Sequence, residues 1–173
     1  MPVWDPVVRI AHWILATCII AAWFTRGAMH DWLGYGALGV VALRLIWGWV
    51  GPRRAHFGEF VRSSAATLAY ARAVLAGVEP RYLGHNPLGA WMIVALLATV
   101  ALVAASGWLS STDRFWGIEW LQETHHLLAD ALLVLATLHV AGVAYTSLRH
   151  RENLVRAMIT GRKPPPRAGD VFE

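Results

Sequence analysis

The sequence predicts an all-α integral membrane protein, a four-helix bundle with a short amphipathic surface helix between spans two and three. Three observations carry this. Hydrophobic residues make up 57% of the 173 and charged residues only 15%, where an ordinary soluble domain has about a quarter charged. Four apolar runs are long enough to cross a hydrocarbon core of ~30 Å, which takes a helix of about 20 residues. Tryptophans stand at the ends of these runs, where an indole with an apolar body and a polar N–H settles at the membrane–water boundary.

The first run, Val7 to Phe24, begins within the amino-terminal MPVWDPVVR. That stretch lacks the basic region, apolar core and small-residue site of a cleaved leader, so the run is expected to stay as a span. The second run is Asp31 to Val50, the third Pro87 to Ser110 and the fourth Thr124 to Leu148, with Trp4, Trp23, Trp32, Trp49, Trp108 and Trp120 at their ends. Between spans two and three, FGEFVRSSAATLAYARAVLAG carries Phe57, Phe60, Val61, Leu68, Val74 and Leu75 interrupted by Arg62 and Arg72. This pattern suits one helix lying on the membrane surface rather than a fifth span. Residues 1–163 are read as one membrane domain, and the Pro- and charge-rich residues 164–173 as a flexible cytoplasmic tail.

Orientation follows from arginine and lysine. The loop from Gly51 to Asn86 holds Arg53, Arg54, Arg62, Arg72 and Arg81, and the segment after Leu148 holds Arg149, Arg151, Arg156, Arg162, Lys163 and Arg167. The other two turns hold Arg26, and Arg114 beside Asp113, Glu119 and Glu123. Positive loops stay cytoplasmic, so both termini are expected there. The net charge of +4 is thereby a topology signal in contact with membrane lipid, and no nucleic-acid partner is expected. Cys18 lies alone in an apolar run, which excludes an intrachain disulfide or thiolate cluster and marks it as a core residue.

Ionisable groups within spans are costly and usually face the bundle interior, where they pair or bind something. Here they are His12, His125, His126, His139, Arg44 and Asp130, with His30 opening the second span. His125 and His139 are 14 residues apart, which at ~100° and ~1.5 Å per residue leaves them within about 40° on one face and ~21 Å apart in depth. His126 and His139 differ by about 140°, so His126 is the poorer partner. The predicted topology sets His12 level with His139, and His30 level with His125. Two facing imidazoles at each of two depths suit axial ligation of haem iron, whereas zinc takes four ligands at one depth. Bis-histidine iron keeps no open position, so the chemistry expected is one-electron transfer.

Arg44, 14 residues after His30, and Arg9 at the entrance of span one are candidates to pair with a haem propionate; the alternative for Arg44 is snorkelling to the headgroups. Gly34, Gly36 and Gly39 permit close approach of a helix or a flat macrocycle. Asp130 points elsewhere on span four and reads as a hydrogen-bonding group toward a neighbouring span, with a proton relay or quinone contact as the alternative.

Several stretches together resemble the prokaryotic cytochrome b561 family and the related cytochrome b subunits of nickel–iron hydrogenases. They are VWDPVVRIAHW, MHDWLGYGALGVVALRLIWG, GHNPLGAWM, and ETHHLLADALLVLATLHVAGV followed by HRENLVRAMITGRK, covering Val3 to about Lys163. The resemblance implies a multi-pass cytochrome of the bacterial inner membrane that holds two haem b groups and links the quinone pool to a redox protein such as a hydrogenase, a reductase or a c-type cytochrome. Its iron ligands, carried over, are His12, His30, His125 and His139. Family members often have Glu after the first histidine of span four, where this chain has His126; the helix face favours His125. His85 and Asn86 match a family segment and read either as contacts to the inner haem or a quinone, or as a helix-entry turn. Two further readings stand beside the electron conduit: a superoxide:quinone oxidoreductase, and a redox-silent membrane anchor subunit.

Overall fold

The computed structural model describes residues 1–172, with Arg54 described by its backbone only. Among these residues there are helices and no strand, apart from two isolated bridges, Pro2 with Arg162 and Tyr82 with Val171. Helix α1 (Pro6–Phe24) starts where sequence chemistry says it should. The Asp5 carboxylate accepts from the Val8 N–H at 3.1 Å, and Pro6 fills the first turn, where a missing N–H is not felt. Asp5 also accepts from Trp47 Nε1 at 3.0 Å, which ties the start of α1 to the last turns of α2 (Ala28–Val50). The turn between them passes through Gly27 at φ 61°, a left-handed conformation that glycine adopts without strain.

The surface segment differs from the single helix expected. It is a 3-10 turn at Arg53–Ala55, then α3 (Phe57–Phe60), then α4 (Ser64–Ala76). The break has a local cause: Ser63 is extended, and its Oγ accepts from the Ala66 N–H at 3.3 Å, so it begins a new helix instead of continuing the old one. Helix α5 (Pro87–Ser110) is capped by Asn86, whose Oδ1 accepts from the Gly89 N–H at 2.7 Å. Helix α6 (Glu119–Arg149) has 31 residues and begins before the expected Thr124, because WLQE continues it into the polar side of the boundary. At ~46 Å it exceeds the hydrocarbon thickness and must project or tilt. A short α7 (Leu154–Thr160) closes the helical part.

Four helices, α1, α2, α5 and α6, are long and apolar enough to cross a membrane. The distribution of side chains agrees with lipid as their solvent. Phe24, Trp49 and Leu148 are 79%, 78% and 81% exposed, while Arg44 is 7% exposed, the inverse of a soluble domain. Trp4, just before α1, lies against His85, with Lys163 Nζ 5.7 Å from its ring centre. Helix α1 packs along α2, α2 on α5, and α5 along α6. Their common core is Ala37, Val41, Leu97, Val100 and Leu132, with Leu15, Cys18 and Ile19 of α1 against it. The extended packing of α6 is with α5; it does not lie lengthwise on α1 or α2.

Both termini meet at one end of the bundle. The Met1 ammonium donates to the Lys163 carbonyl at 2.7 Å, and the Val3 N–H donates to the Gly161 carbonyl at 2.8 Å. Beneath this contact, Arg81 binds Glu152 at 2.9 Å and Asp170 at 2.5 Å, and Lys163 binds Glu152 at 3.2 Å. All four side chains are between 2% and 5% exposed. The Val171 N–H donates to the Arg81 carbonyl at 2.8 Å, so the segment read as a flexible tail is fastened at Asp170 and Val171. Composition reports how well such a segment is solvated and is silent on a specific partner 89 residues away.

Removing one member of a buried charge cluster strands the others. Arg81→Met should cost about 3–5 kcal/mol, read as a lowered unfolding midpoint of the detergent-solubilised protein. Arg53→Met, from the exposed Arg53–Glu59 pair, should move it little. Equal effects would mean that the Arg81 cluster is solvated.

Candidate functional site

Four imidazoles form two pairs. His12 of α1 faces His139 of α6 with ring centroids 6.3 Å apart, and His30 of α2 faces His125 of α6 with centroids 6.0 Å apart. Helix α6 therefore gives one member to each pair, at positions ~21 Å apart along its axis. These pairs are where α6 meets α1 and α2, the two helices along which it does not pack.

The pair at the end away from the termini is oriented by hydrogen bonds. His30 Nδ1 lies 2.9 Å from the Ala22 carbonyl in the last turn of α1. His125 Nδ1 lies 3.0 Å from the Val103 carbonyl and 3.1 Å from Ser106 Oγ. A carbonyl takes only a donor, so each Nδ1 carries the proton and each Nε2 keeps its lone pair. Gly107 sets the approach of His125: a Cβ there would lie 3.0 Å from the ring carbon Cε1. In the other pair, His12 Nδ1 is buried with no hydrogen-bond partner, and its ring meets Trp13 edge-on at 5.1 Å.

An imidazole nitrogen binds a first-row metal at about 2.0–2.1 Å, which puts two rings on opposite sides of one ion about 6 Å apart between centroids. Both pairs have that separation. Among the described residues no three His, Cys, Asp or Glu side chains gather as a metal cage. The donor set is thus two imidazoles at each depth, with no carboxylate or thiolate beside them, and it fits axial ligation of a haem iron.

The remaining candidates fall into three places. Arg44 is buried between helices: its guanidinium stacks 4.5 Å from the Phe57 ring centre, and Nη1 is buried with no hydrogen-bond partner. Gly48 makes room for this stack, since a Cβ there would fall 2.1 Å from Phe57 Cε2. Arg44 follows His30 by the same 14 residues that separate His125 from His139, which sets it level with the His12–His139 pair. Arg9 instead donates through Nη1 to the Ile159 carbonyl and packs on Gly161, holding α1 to the end of α7; its buried Nε has no partner. His126 is exposed, with its ring 6.0 Å from that of His125, and Asp130 is exposed on α6.

His85 lies between the rings of Trp4 and Phe60, each with centroids 4.5 Å away. Burial, then the charges of Arg44 and Lys163, push this imidazole down to about 3. Asn86 serves the helix-entry turn as the cap of α5. Sequence reasoning missed Ser106, Gly107 and Phe57. The signal for the first two was present: in AASGW a polar and a small residue interrupt the apolar third span just before its end, level with the start of span four.

A family model described as prokaryotic cytochrome b561 matches residues 3–161. No curated protein and no solved structure matches the chain.

His85 carries a pH prediction. It stays neutral in the folded protein down to about 3, against 6.5 for the free group, so the unfolded chain binds the extra proton between those values. Stability then falls as pH drops through that window and is flat above it. His85→Phe, which keeps a ring between Trp4 and Phe60, should shrink the loss of thermal midpoint on going from about pH 7 to about pH 5. An unchanged loss would assign the acid limb to other groups.

Proposed function

The chain belongs to the prokaryotic cytochrome b561 family, whose members are membrane b-type cytochromes of electron transfer, and from that premise we propose that it holds two haem b groups and moves electrons between the quinone pool and a partner redox protein across the bacterial inner membrane. His12 and His139 hold one haem, and His30 and His125 hold the other. The observation that carries this reading is the pairing itself: one helix presents two imidazoles on one face, each opposed by an imidazole of another helix at 6.3 or 6.0 Å.

The groups supply one-electron chemistry, and everything else is work for the protein. The Ala22 and Val103 carbonyls hold Nδ1–H of His30 and His125, which leaves both Nε2 lone pairs free and raises their basicity, so that these two nitrogens would hold the iron. Gly34, one turn after His30, has nothing within 4 Å of where a Cβ would sit, leaving a flat surface for a macrocycle. Arg44 presents its buried, unpartnered Nη1 to a propionate of the haem held by His12 and His139. Arg9 has Nη1 committed to the Ile159 carbonyl and keeps Nε and Nη2 for that purpose. Two imidazoles for each group would leave no room for a further ligand, so the chemistry it would supply is outer-sphere transfer rather than oxygen chemistry, and the family supports a quinone or a redox protein as the exchange partner.

A dithionite-reduced minus oxidised spectrum of the purified full chain, with pyridine haemochrome quantitation, is expected to give a b-type band and two haems per chain. One haem per chain would overturn the two-haem reading. His139→Ala and His30→Ala should each lose one haem, and a different one, distinguished by redox titration; retention of both in either variant contradicts the pairing.

Gly107→Val offers a test that leaves every ligand in place. The added side chain meets the His125 ring and should deplete the same haem as His30→Ala, leaving the other at full occupancy. Full retention of both would mean that His125 does not need its seat on Gly107.

A further inference from the structure

Asp130 has no part in that reading, and its position is specific. Helix α6 turns ~100° per residue, so Asp130 lies about 140° round from His125 and about 180° from His139. It faces away from the imidazole pairs and from the buried Leu121 and Leu132. Glu123, His126, Thr137 and Ala141 lie within about 40° of it, and all five residues are exposed. Its carboxyl forms no hydrogen bond or ion pair among the described residues. With the overhang of α6 shared between both ends, Asp130 sits ~8 Å beneath the hydrocarbon surface. Its side chain is too short to reach the headgroups as Lys or Arg would.

We propose that this outward stripe of α6 is the surface on which a second copy of the chain docks, with Asp130 of each copy hydrogen-bonded to His126 of the other. A two-fold axis along the membrane normal brings two copies of α6 side by side, parallel and at equal depth. Such an interface must be self-complementary, and this one is: an acid and an imidazole stand one turn apart on the same face, and neither is paired within its own chain. Farther along, Thr137 and Ala141 are small, which lets two helix backbones approach closely. Acyl chains offer a carboxyl at that depth no partner, and a second copy supplies one. A cation-bearing helix of another protein would satisfy Asp130 but would leave His126 unexplained.

The test uses the full chain in its own membranes, with Cys18→Ala as background. Ala141→Cys probes the stripe, and Ile20→Cys, on the 61% exposed Ile20 of α1, is the control. Oxidative cross-linking should give a dimer-sized product at 141 and about tenfold less at 20. Adding Asp130→Leu, which removes both symmetry-related hydrogen bonds, should cut the yield at 141 by about tenfold or more. Asp130→Asn, which keeps a hydrogen-bonding group, should preserve most of it. Three results would overturn the proposal: no excess at 141 over 20, a product containing a different protein, or a yield indifferent to Asp130→Leu. The haem spectrum of each variant reports the folded bundle separately, so failure to dimerise is distinguishable from failure of the haem assignment.

Discussion

Hydrocarbon solvates neither a backbone amide nor an imidazole, and the arrangement of this chain follows from that constraint. Backbone groups in hydrocarbon must be satisfied within helices, which leaves polar side chains as the exceptions that need an explanation. Helix α6 carries two imidazoles on its inner side, and α1 and α2 each bring one to meet them. Each histidine of the His30–His125 pair directs Nδ1 to a carbonyl, so one face of each ring is structural and the other is free for chemistry. Family membership implies haem b, and this free edge of each ring is what the proposed ligation rests on.

At the end that gathers the termini, a second kind of polar interior holds the helices in register. Two cations and two carboxylates form a closed cluster around Arg81 and Glu152. It fastens the loop before α5, the segment after α6 and the last residues of the chain to one another. Arg9 and Asp5 connect α1 to this platform and to α2. Burial of such charges contributes little net stability. Its consequence for the site follows from helical spacing: His12 lies about one turn from Arg9 and two turns from Asp5, so the platform sets where its ring stands relative to His139.

Much of the candidate site was legible in the amino-acid order. The spans, the paired depths and the choice of His125 over His126 rest on helical period and on the placement of positive residues, both local properties. Arg44 was legible as a buried candidate by the same 14-residue step, but its stack on Phe57 was not, because Phe57 lies beyond a turn whose course the sequence does not state. The seat of His125 on Gly107 and Ser106 was visible only as a polar and small break in an apolar run, a feature that also occurs for simple helix packing. The break between α3 and α4 was available in principle from Ser63, an ordinary cap residue that an amphipathic reading overrides.

What the sequence determined by itself was the identity and phase of the four long helices, since hydropathy, caps and the 3.6-residue period act between near neighbours in the chain and hold before any tertiary contact forms. Tertiary structure decided which carbonyls receive His30 and His125, which ring covers Arg44, and that Asp170 and Val171 return to Arg81. Those choices join residues far apart in sequence, and they are set by which pieces of chain pack at one end of the bundle together. No local preference encodes that outcome.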